Sequence, residues 1–226
     1  MKIAILVAMD KELALVKSLL QNIEEKKIGD NITVFHGSIA SHDIYLSKCG
    51  IGKVNSALNT YRIIEAVSPE LVINTGVAGG AGVPVGTVLI ADRVAYDDVW
   101  CGPSTDYGQA DGCPLFFTPA PEVIKLASSL YKTEGYHYGL ICSGDKFIST
   151  AEEIAFIRSH FPDVAAVDME SASIAQTCWL SKVPFNIIRV VSDTPGEGEN
   201  IAQYESFWTE APQKTFAVVK TIIEQL

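Results

Sequence analysis

Residues 165–175 read Ala165-Ala166-Val167-Asp168-Met169-Glu170-Ser171-Ala172-Ser173-Ile174-Ala175, in which two carboxylates interrupt an otherwise small and apolar run. The run predicts a buried strand at Ala165–Val167 followed directly by a helix at Met169–Leu180. An ionised carboxylate in such surroundings costs several kcal/mol unless it is paired, protonated or bound to a ligand. Asp168 and Glu170 therefore each require a partner or a polar ligand.

The same alternation of strand and helix recurs along the chain. Short apolar runs are typical of strands that are covered on both faces, and helix-length patterns lie between several of them. The predicted strands are Ile3–Ala8, Ile44–Ser47, Leu71–Asn74, Thr87–Ile90, Tyr138–Cys142, Ala165–Val167 and Phe185–Val191, and the predicted helices are Lys11–Leu20, Val54–Ala66, Pro121–Tyr131, Thr150–Ser159, Met169–Leu180 and Tyr204–Leu226.

This order predicts one α/β domain over residues 1–226, with a central mixed, mostly parallel β-sheet flanked by helices. The mixed character comes from Asn31–His36 and Ile44–Ser47, which have no helix between them and predict an antiparallel hairpin. Gly, Pro, Asp and Ser are dense in Tyr96–Pro119 and Thr194–Gln203, which we expect to be irregular.

Composition limits the classes of function. The chain has 226 residues, of which 48% are hydrophobic and 19% charged, as in compact globular proteins. Its net charge of −10 argues against nucleic-acid binding, and it has no apolar run of the length that a membrane span needs. Met1-Lys2 leads into a strand pattern instead of a secretory signal, so we expect a cytoplasmic protein.

We expect neither a metal nor a cofactor. The five cysteines are scattered without a Cys-x-x-Cys pair, which favours reduced thiols, and the four histidines lie outside the candidate motifs. Glycines 76, 79 and 80 do not form a dinucleotide-binding fingerprint. The expected partner is a small molecule.

Acids follow several predicted strand ends, where ligands bind in α/β sheets. Glu12, Asp145, Glu170 and Asp193 each occupy such a position. Each has a structural explanation when taken alone: Glu12, for example, lies in the first turn of a helix, where an acid favours the helix dipole. The acids and their neighbours form six segments, Val7-Ala8-Met9-Asp10-Lys11-Glu12, Cys49-Gly50-Ile51-Gly52-Lys53-Val54-Asn55, Asn74-Thr75-Gly76-Val77-Ala78-Gly79-Gly80, Ser143-Gly144-Asp145-Lys146-Phe147-Ile148, Val167-Asp168-Met169-Glu170 and Arg189-Val190-Val191-Ser192-Asp193.

In order and spacing these segments resemble the 5′-methylthioadenosine/S-adenosylhomocysteine nucleosidases of the purine nucleoside phosphorylase superfamily. The resemblance implies a three-layer α/β/α fold, and a hydrolase that releases adenine from an adenine nucleoside without a cofactor. It implies that Glu12 is the general base acting on water and that Asp193 is the general acid at adenine N7. The implied substrate contacts are Glu170 and Met169 at the ribose, Phe147 and Ile148 at the adenine, Gly79 at a close-approach turn, Ser192 beside the acid, and Ile51 and Phe207 in the 5′ pocket. It also implies a homodimer, in which residues 96–108 help to close the neighbouring subunit's site.

Three alternatives stay open: a nucleosidase for another purine nucleoside such as futalosine, a phosphate-dependent phosphorylase, and a binding module without turnover. Asn74–Gly80 contains no cation for a phosphate site, which favours hydrolysis. Asp168 stands where many family members carry Glu, and its role is not assigned. Residues 96–108 and Thr194-Pro195-Gly196 depart from the family pattern, so the preferred 5′ group is also left open.

Overall fold

The computed structural model describes residues 1–29, 32–130, 132, 135–210 and 212–226, of which residues 209, 210 and 212–215 are described by their backbone alone. In chain order the elements are β1 (Lys2–Val7), α1 (Asp10–Lys17), β2 (Gln21–Ile28), β3 (Ile32–Ile39), β4 (His42–Lys48), α2 (Lys53–Val67), β5 (Leu71–Gly80), β6 (Val88–Tyr96), α3 (Pro121–Leu130), β7 (Tyr136–Ser143), α4 (Ala151–His160), β8 (Val164–Asp168), α5 (Ser171–Ser181), β9 (Phe185–Asp193), α6 (Asn200–Glu210) and α7 (Pro212–Glu224).

The strands form one mixed sheet. Strands β2, β3, β4, β1 and β5 follow one another, and β5 then pairs with both β9 and β8. Parallel pairs are β1 with β4 and β5, β5 with β9, and β7 with β6 and β8; the other four pairs are antiparallel. The predicted mixed, mostly parallel sheet flanked by helices is confirmed.

Five strands of this sheet close into a ring, in the order β5, β9, β6, β7, β8 and back to β5. The closing pair is short, because β8 reaches β5 only at Gly79 and Gly80. A Cβ at Gly80 would lie 2.3 Å from the Val83 carbonyl oxygen, and one at Gly79 would lie 2.7 Å from Pro195 Cγ. The two glycines therefore leave room for the Val83 backbone and for Pro195 beside the carboxyl end of β5.

Apolar side chains cover both faces of the sheet. Ile63 on α2 and Ile174 on α5 belong to the cluster that contains Leu6 and Val72, whereas α1, α3 and α7 supply Val16, Val123, Ala127, Val219 and Ile222 to the cluster around Ile5 and Ile73. Full burial of a large aliphatic side chain contributes about 1.5–3 kcal/mol. This burial on both faces explains the continuous apolar runs of the strand sequences.

Two elements differ from the prediction. Strand β2 was not predicted, because Gln21–Ile28 is polar and almost wholly exposed at the edge of the sheet. The predicted helix Tyr204–Leu226 begins earlier than predicted, because α6 covers Asn200–Glu210 and α7 covers Pro212–Glu224; Ala211, between them, lies outside the described residues. Asn31, the first residue of one predicted strand, and Tyr131, the last residue of one predicted helix, lie outside the described residues.

All five cysteines are free, as predicted, and four of them are buried. None of the helices in the described part of the chain has the length and hydropathy of a membrane span.

Candidate active site

The predicted strand ends meet at one cavity of about 640 Å³, including the space that opens to solvent. Nine of the ten residues that the sequence predicted line it, and Phe207 does not. The lining residues are Ala8, Met9, Glu12, Ile51, Val77, Ala78, Gly79, Lys146, Phe147, Ile148, Val167, Asp168, Met169, Glu170, Ser192, Asp193 and Tyr204.

Glu12 is held rigidly by three backbone donors. The N–H groups of Ala8 and Met9 donate to Oε2 at 2.8 and 3.0 Å, and the N–H of Val77 donates to Oε1 at 3.1 Å. A Cβ at Gly76 would lie 2.5 Å from Oε1, so this site requires glycine there. Burial raises the pKa of Glu12, although Arg189 and the three donors oppose the shift. A raised pKa makes the carboxylate a better proton acceptor near neutral pH.

Asp193 ends β9 at a bulge. Val191 pairs with Ala78 and Asp193 with Gly79, so Ser192 has no partner in this register. Ser192 Oγ donates to Asp193 Oδ1 at 2.6 Å, and Asn200 Nδ2 donates to Oδ2 at 3.4 Å. Burial raises the pKa of Asp193, and the two donors oppose the shift. The arrangement favours a carboxyl group that holds a proton more readily than an exposed aspartate does.

Glu170 stands at the junction of β8 and α5, and it is buried. Its Oε1 accepts a hydrogen bond of 3.0 Å from the N–H of Gly52. Burial, followed by the charge of Asp168, raises the pKa of Glu170 to about 7, against the opposing charge of Arg189. The cavity thus holds a carboxylate whose charge is costly until a ligand compensates it.

This cost predicts a pH-dependent stability. Because the pKa of Glu170 is 4.5 in its ordinary state and about 7 in the folded chain, the folded state binds more protons between these values. The contribution of Glu170 to the free energy of unfolding therefore falls as the pH rises from about 4.5 through about 7. Glu170→Gln should raise the free energy of unfolding by about 1–3 kcal/mol near pH 8, and the gain should shrink towards pH 5. Thermal unfolding across this range measures the difference, and a gain that does not change with pH would contradict it.

The buried carboxylate of Asp168 has a charged partner, Arg189, whose side chain is almost completely buried. Arg189 Nε donates to Asp168 Oδ2 at 2.8 Å, and Nη2 donates to Ser171 Oγ at 2.9 Å and to Asn74 Oδ1. Asp168 also accepts from Ser143 Oγ at 2.5 Å, from Ser171 Oγ, and from the N–H groups of Glu170 and Ser171 at 3.3 and 3.1 Å. Arg189 is thus paired with Asp168, and Asp193 is left to its neutral donors.

Removing one member of this buried pair should be strongly destabilising. Asp168→Asn leaves Arg189 without its direct counter-charge, so we expect a loss of about 3 kcal/mol or more in the free energy of unfolding. Asp163→Asn is the matched control, because Asp163 pairs with Arg93 at 2.6 Å with a side chain that is 58% exposed. The control should lose about 1 kcal/mol or less. Urea denaturation compares the two, and equal losses would contradict the assigned role of the buried pair.

Two aromatic side chains, those of Phe147 and Tyr204, line the cavity. Phe147 is 43% exposed, and its ring meets that of Tyr204 edge to face at 5.7 Å. The Tyr204 hydroxyl contacts Met9 Sδ at 3.3 Å. Tyr204 on α6 also lines the cavity, although the sequence did not single it out. Phe207 lies one helical turn further on, where it is buried with its ring 5.7 Å from that of Trp208.

Met9, Lys146 and Asn200 were also missed. Met9 and Lys146 each lie within one of the six quoted segments, which was the available signal. Asn200 had none, because its contact with Asp193 depends on where α6 begins.

Comparison with known proteins identifies the family of this chain. The family model of the phosphorylase superfamily matches residues 2–224. A 5′-methylthioadenosine/S-adenosylhomocysteine nucleosidase of Lysinibacillus sphaericus is 38% identical over 229 residues, covering 98% of this chain and 99% of that protein. The nucleosidase of that name from S. pneumoniae, solved with the transition-state inhibitor MT-ImmA, has a TM-score of 0.94 at 35% identity and covers 99% of each chain. An S-adenosylhomocysteine nucleosidase from Streptococcus pyogenes, in complex with 5-methylthiotubericidin, has a TM-score of 0.93 at 33% identity and covers 100% of this chain and 97% of that one. The chain therefore belongs to the 5′-methylthioadenosine/S-adenosylhomocysteine nucleosidases of the phosphorylase superfamily.

Proposed function

We propose that this chain hydrolyses the N-glycosidic bond of 5′-methylthioadenosine and S-adenosylhomocysteine, releasing adenine and the thio-ribose product. The observation that carries the proposal is the single cavity in which Glu12, Glu170 and Asp193 meet beside Phe147 and Ile148. Relatives of the same family bind adenine-type ligands; the relative from Colwellia psychrerythraea, for example, was solved in complex with adenine.

In the proposed reaction, the oxygen of a water molecule bonds to the anomeric carbon while the bond from that carbon to adenine breaks. Glu12 takes the proton that the water loses. The electron pair of the broken bond goes to adenine, and Asp193 protonates adenine N7 so that the base leaves neutral. The raised pKa values of both groups suit these roles, because a base and an acid work best when their pKa values lie near the working pH. Ser192 and Asn200 orient the acid.

Glu170 is proposed to accept hydrogen bonds from the ribose hydroxyl groups. Its negative charge would also lie near the positive charge that develops on the sugar in the transition state, which stabilises that state selectively. Met169 and Ile51 supply apolar contacts to the sugar and the 5′ group, and Gly79 leaves room at the turn. Among the α6 residues whose side chains the structure describes, Tyr204 lines the cavity and Phe207 does not, so we propose Tyr204 for the 5′-pocket role that the resemblance implied for Phe207.

We favour hydrolysis over phosphorolysis because the hydrogen-bond donors and cations that could bind phosphate at this cavity already have partners. A phosphate site needs free cations or free backbone N–H groups. The N–H groups of Ala8, Met9 and Val77 all donate to Glu12. Lys146, which lines the cavity, pairs with Glu153, and Arg189 pairs with Asp168, which also lines the cavity.

The test is to incubate the purified protein with methylthioadenosine in phosphate-free buffer and again with phosphate, and to identify the sugar product. We expect adenine release at the same rate in both, with the free sugar as product. Adenine release that requires phosphate, or a sugar 1-phosphate, would favour a phosphorylase. Binding without release would favour a nucleoside-binding module.

We also propose that the enzyme is a homodimer. On α2, Val54, Leu58 and Tyr61 are 75%, 47% and 50% exposed at helical spacing, and they present an apolar face to solvent. Ile51, which lines the cavity and is 50% exposed, continues this face to the site. A second copy of the chain would cover the face and help to close the cavity. Leu58→Asp should convert a dimer into a monomer in light scattering after size exclusion, and a monomeric wild-type protein would overturn the proposal.

The five free cysteines fit a reducing compartment, which supports the prediction of a cytoplasmic enzyme.

A further inference from the structure

The N-terminus of α2 is capped by side chains from elsewhere in the chain. Its N-cap residue, Gly52, has no capping side chain, and its φ of +87° suits glycine. The N–H of Gly52 donates to Glu170 Oε1 at 3.0 Å, and the N–H of Lys53 donates to Asp145 Oδ1 at 2.7 Å. Two carboxylates thus satisfy free donors at the positive end of the helix dipole.

Asp145 is fixed through its backbone as well. Its N–H donates to Asp98 Oδ2 at 2.9 Å, and Lys53 Nζ binds both oxygens of Asp98 at 2.8 and 2.7 Å. Lys53 Nζ also lies 3.9 Å from Asp145 Oδ2. Asp145 therefore joins three parts of the chain: α2, the segment after β6 and the loop after β7.

The loop after β7, residues 144–148, carries Phe147 and Ile148 into the cavity. At its start, a Cβ on Gly144 would lie 2.1 Å from Asp97 Oδ1, so the backbone packs closely against that segment. At its end, the Ile148 carbonyl oxygen accepts from Asn200 Nδ2 at 3.4 Å. Asp145 is the residue that links this loop to the helix end that also holds Glu170.

We propose that Asp145 is a positioning residue, which sets the loop 144–148 relative to Glu170 through the N-terminus of α2. The inference rests on the proposed function, because it assigns the loop to the adenine and Glu170 to the ribose. Asp145 itself lines no part of the cavity.

Stability alone does not account for this arrangement. The Asp145 side chain is 49% exposed and that of Asp98 is 35% exposed, and ion pairs at such positions contribute little to folding. An interaction that fixes a binding loop equally in the ground state and the transition state changes KM more than kcat. A structural role without positioning would leave both constants unchanged in the folded protein.

The test compares wild type with Asp145→Ala, Asp145→Asn and the control Asp163→Ala. For Asp145→Ala we expect about a tenfold rise in both KM for methylthioadenosine and Kd for adenine, with kcat within about threefold of wild type. Asp145→Asn should recover most of the loss, because its amide oxygen still accepts from the N–H of Lys53. The melting temperature of Asp145→Ala should fall no further than that of the control, which also loses a half-exposed carboxylate partner.

Calorimetry with adenine alone separates the two proposals. A Kd for adenine that is the same in Asp145→Ala and wild type would overturn the positioning role, and so would a loss confined to kcat. Wild-type protein that binds adenine but does not hydrolyse methylthioadenosine would overturn the proposed function alone, and the ratio of Kd values would still decide the role of Asp145. Wild-type protein that does not bind adenine would overturn both.

Discussion

Asp193→Asn should lower kcat for methylthioadenosine by about a thousandfold or more, which is the effect of removing a general acid. The substitution preserves the shape of the side chain and an oxygen that accepts from Ser192. It removes the proton that adenine N7 needs, and without that proton adenine would have to leave as an anion. Single-turnover kinetics would measure the loss of the chemical step directly.

Binding should be affected far less, because the side chain stays buried at the end of β9 and its remaining oxygen still accepts from the Ser192 hydroxyl. The Kd for adenine should change by less than about fivefold, roughly 1 kcal/mol. Asp163→Asn, at an ion pair that does not line the cavity, should keep wild-type kinetics. A near-normal kcat in Asp193→Asn would mean that another group protonates the adenine.

Glu12→Gln should have a comparable effect on turnover, with a stability cost as well. All three contacts of the Glu12 carboxylate are with N–H donors, two at Oε2 and one at Oε1. An amide offers one oxygen acceptor, so its NH₂ group must face at least one of these donors. We expect kcat to fall by about a thousandfold and the free energy of unfolding to fall by about 1–3 kcal/mol.

The pH profile distinguishes the base from a structural role. Protonated Glu12 cannot accept a proton from water, so the wild-type kcat/KM should fall as pH drops through its raised pKa. Glu12→Gln should keep only a low residual rate and should shift the midpoint of this acidic limb, because the protonation of Glu170, whose pKa is raised to about 7, then remains. If the variant retained the acidic limb with an unchanged midpoint, the base would have to be a different residue.

The parts of the fold that depend on local pattern were predictable from the sequence. Buried strands such as β1 and β9 and the helices between them follow from apolar runs and spacing. The ring closure was not predictable, because the antiparallel pairing of Gly79 with Val167 joins residues that are distant in sequence and depends on how β5 bends. Strand β2 lacks an apolar pattern because it is exposed at the sheet edge.

The site shows the same division. Strand-end acids such as Glu12 and Asp193 were visible as motifs. The role of Asp168 depends on the direction in which Arg189 points relative to Asp193, and sequence spacing does not fix this relation because the bulge at Ser192 lies between them. The sequence also did not indicate that Tyr204 lines the cavity and Phe207 does not, because the rotation and start of α6 decide which aromatic side chain reaches it.

We propose that water is the nucleophile in a site whose backbone donors are occupied by Glu12. The reaction of methylthioadenosine in heavy-oxygen water that also contains phosphate, followed by mass spectrometry of the sugar, tests this proposal. We expect one heavy oxygen in each free thio-ribose molecule, after correction for exchange of the product with the solvent. A thio-ribose 1-phosphate without heavy oxygen at the anomeric carbon would contradict it.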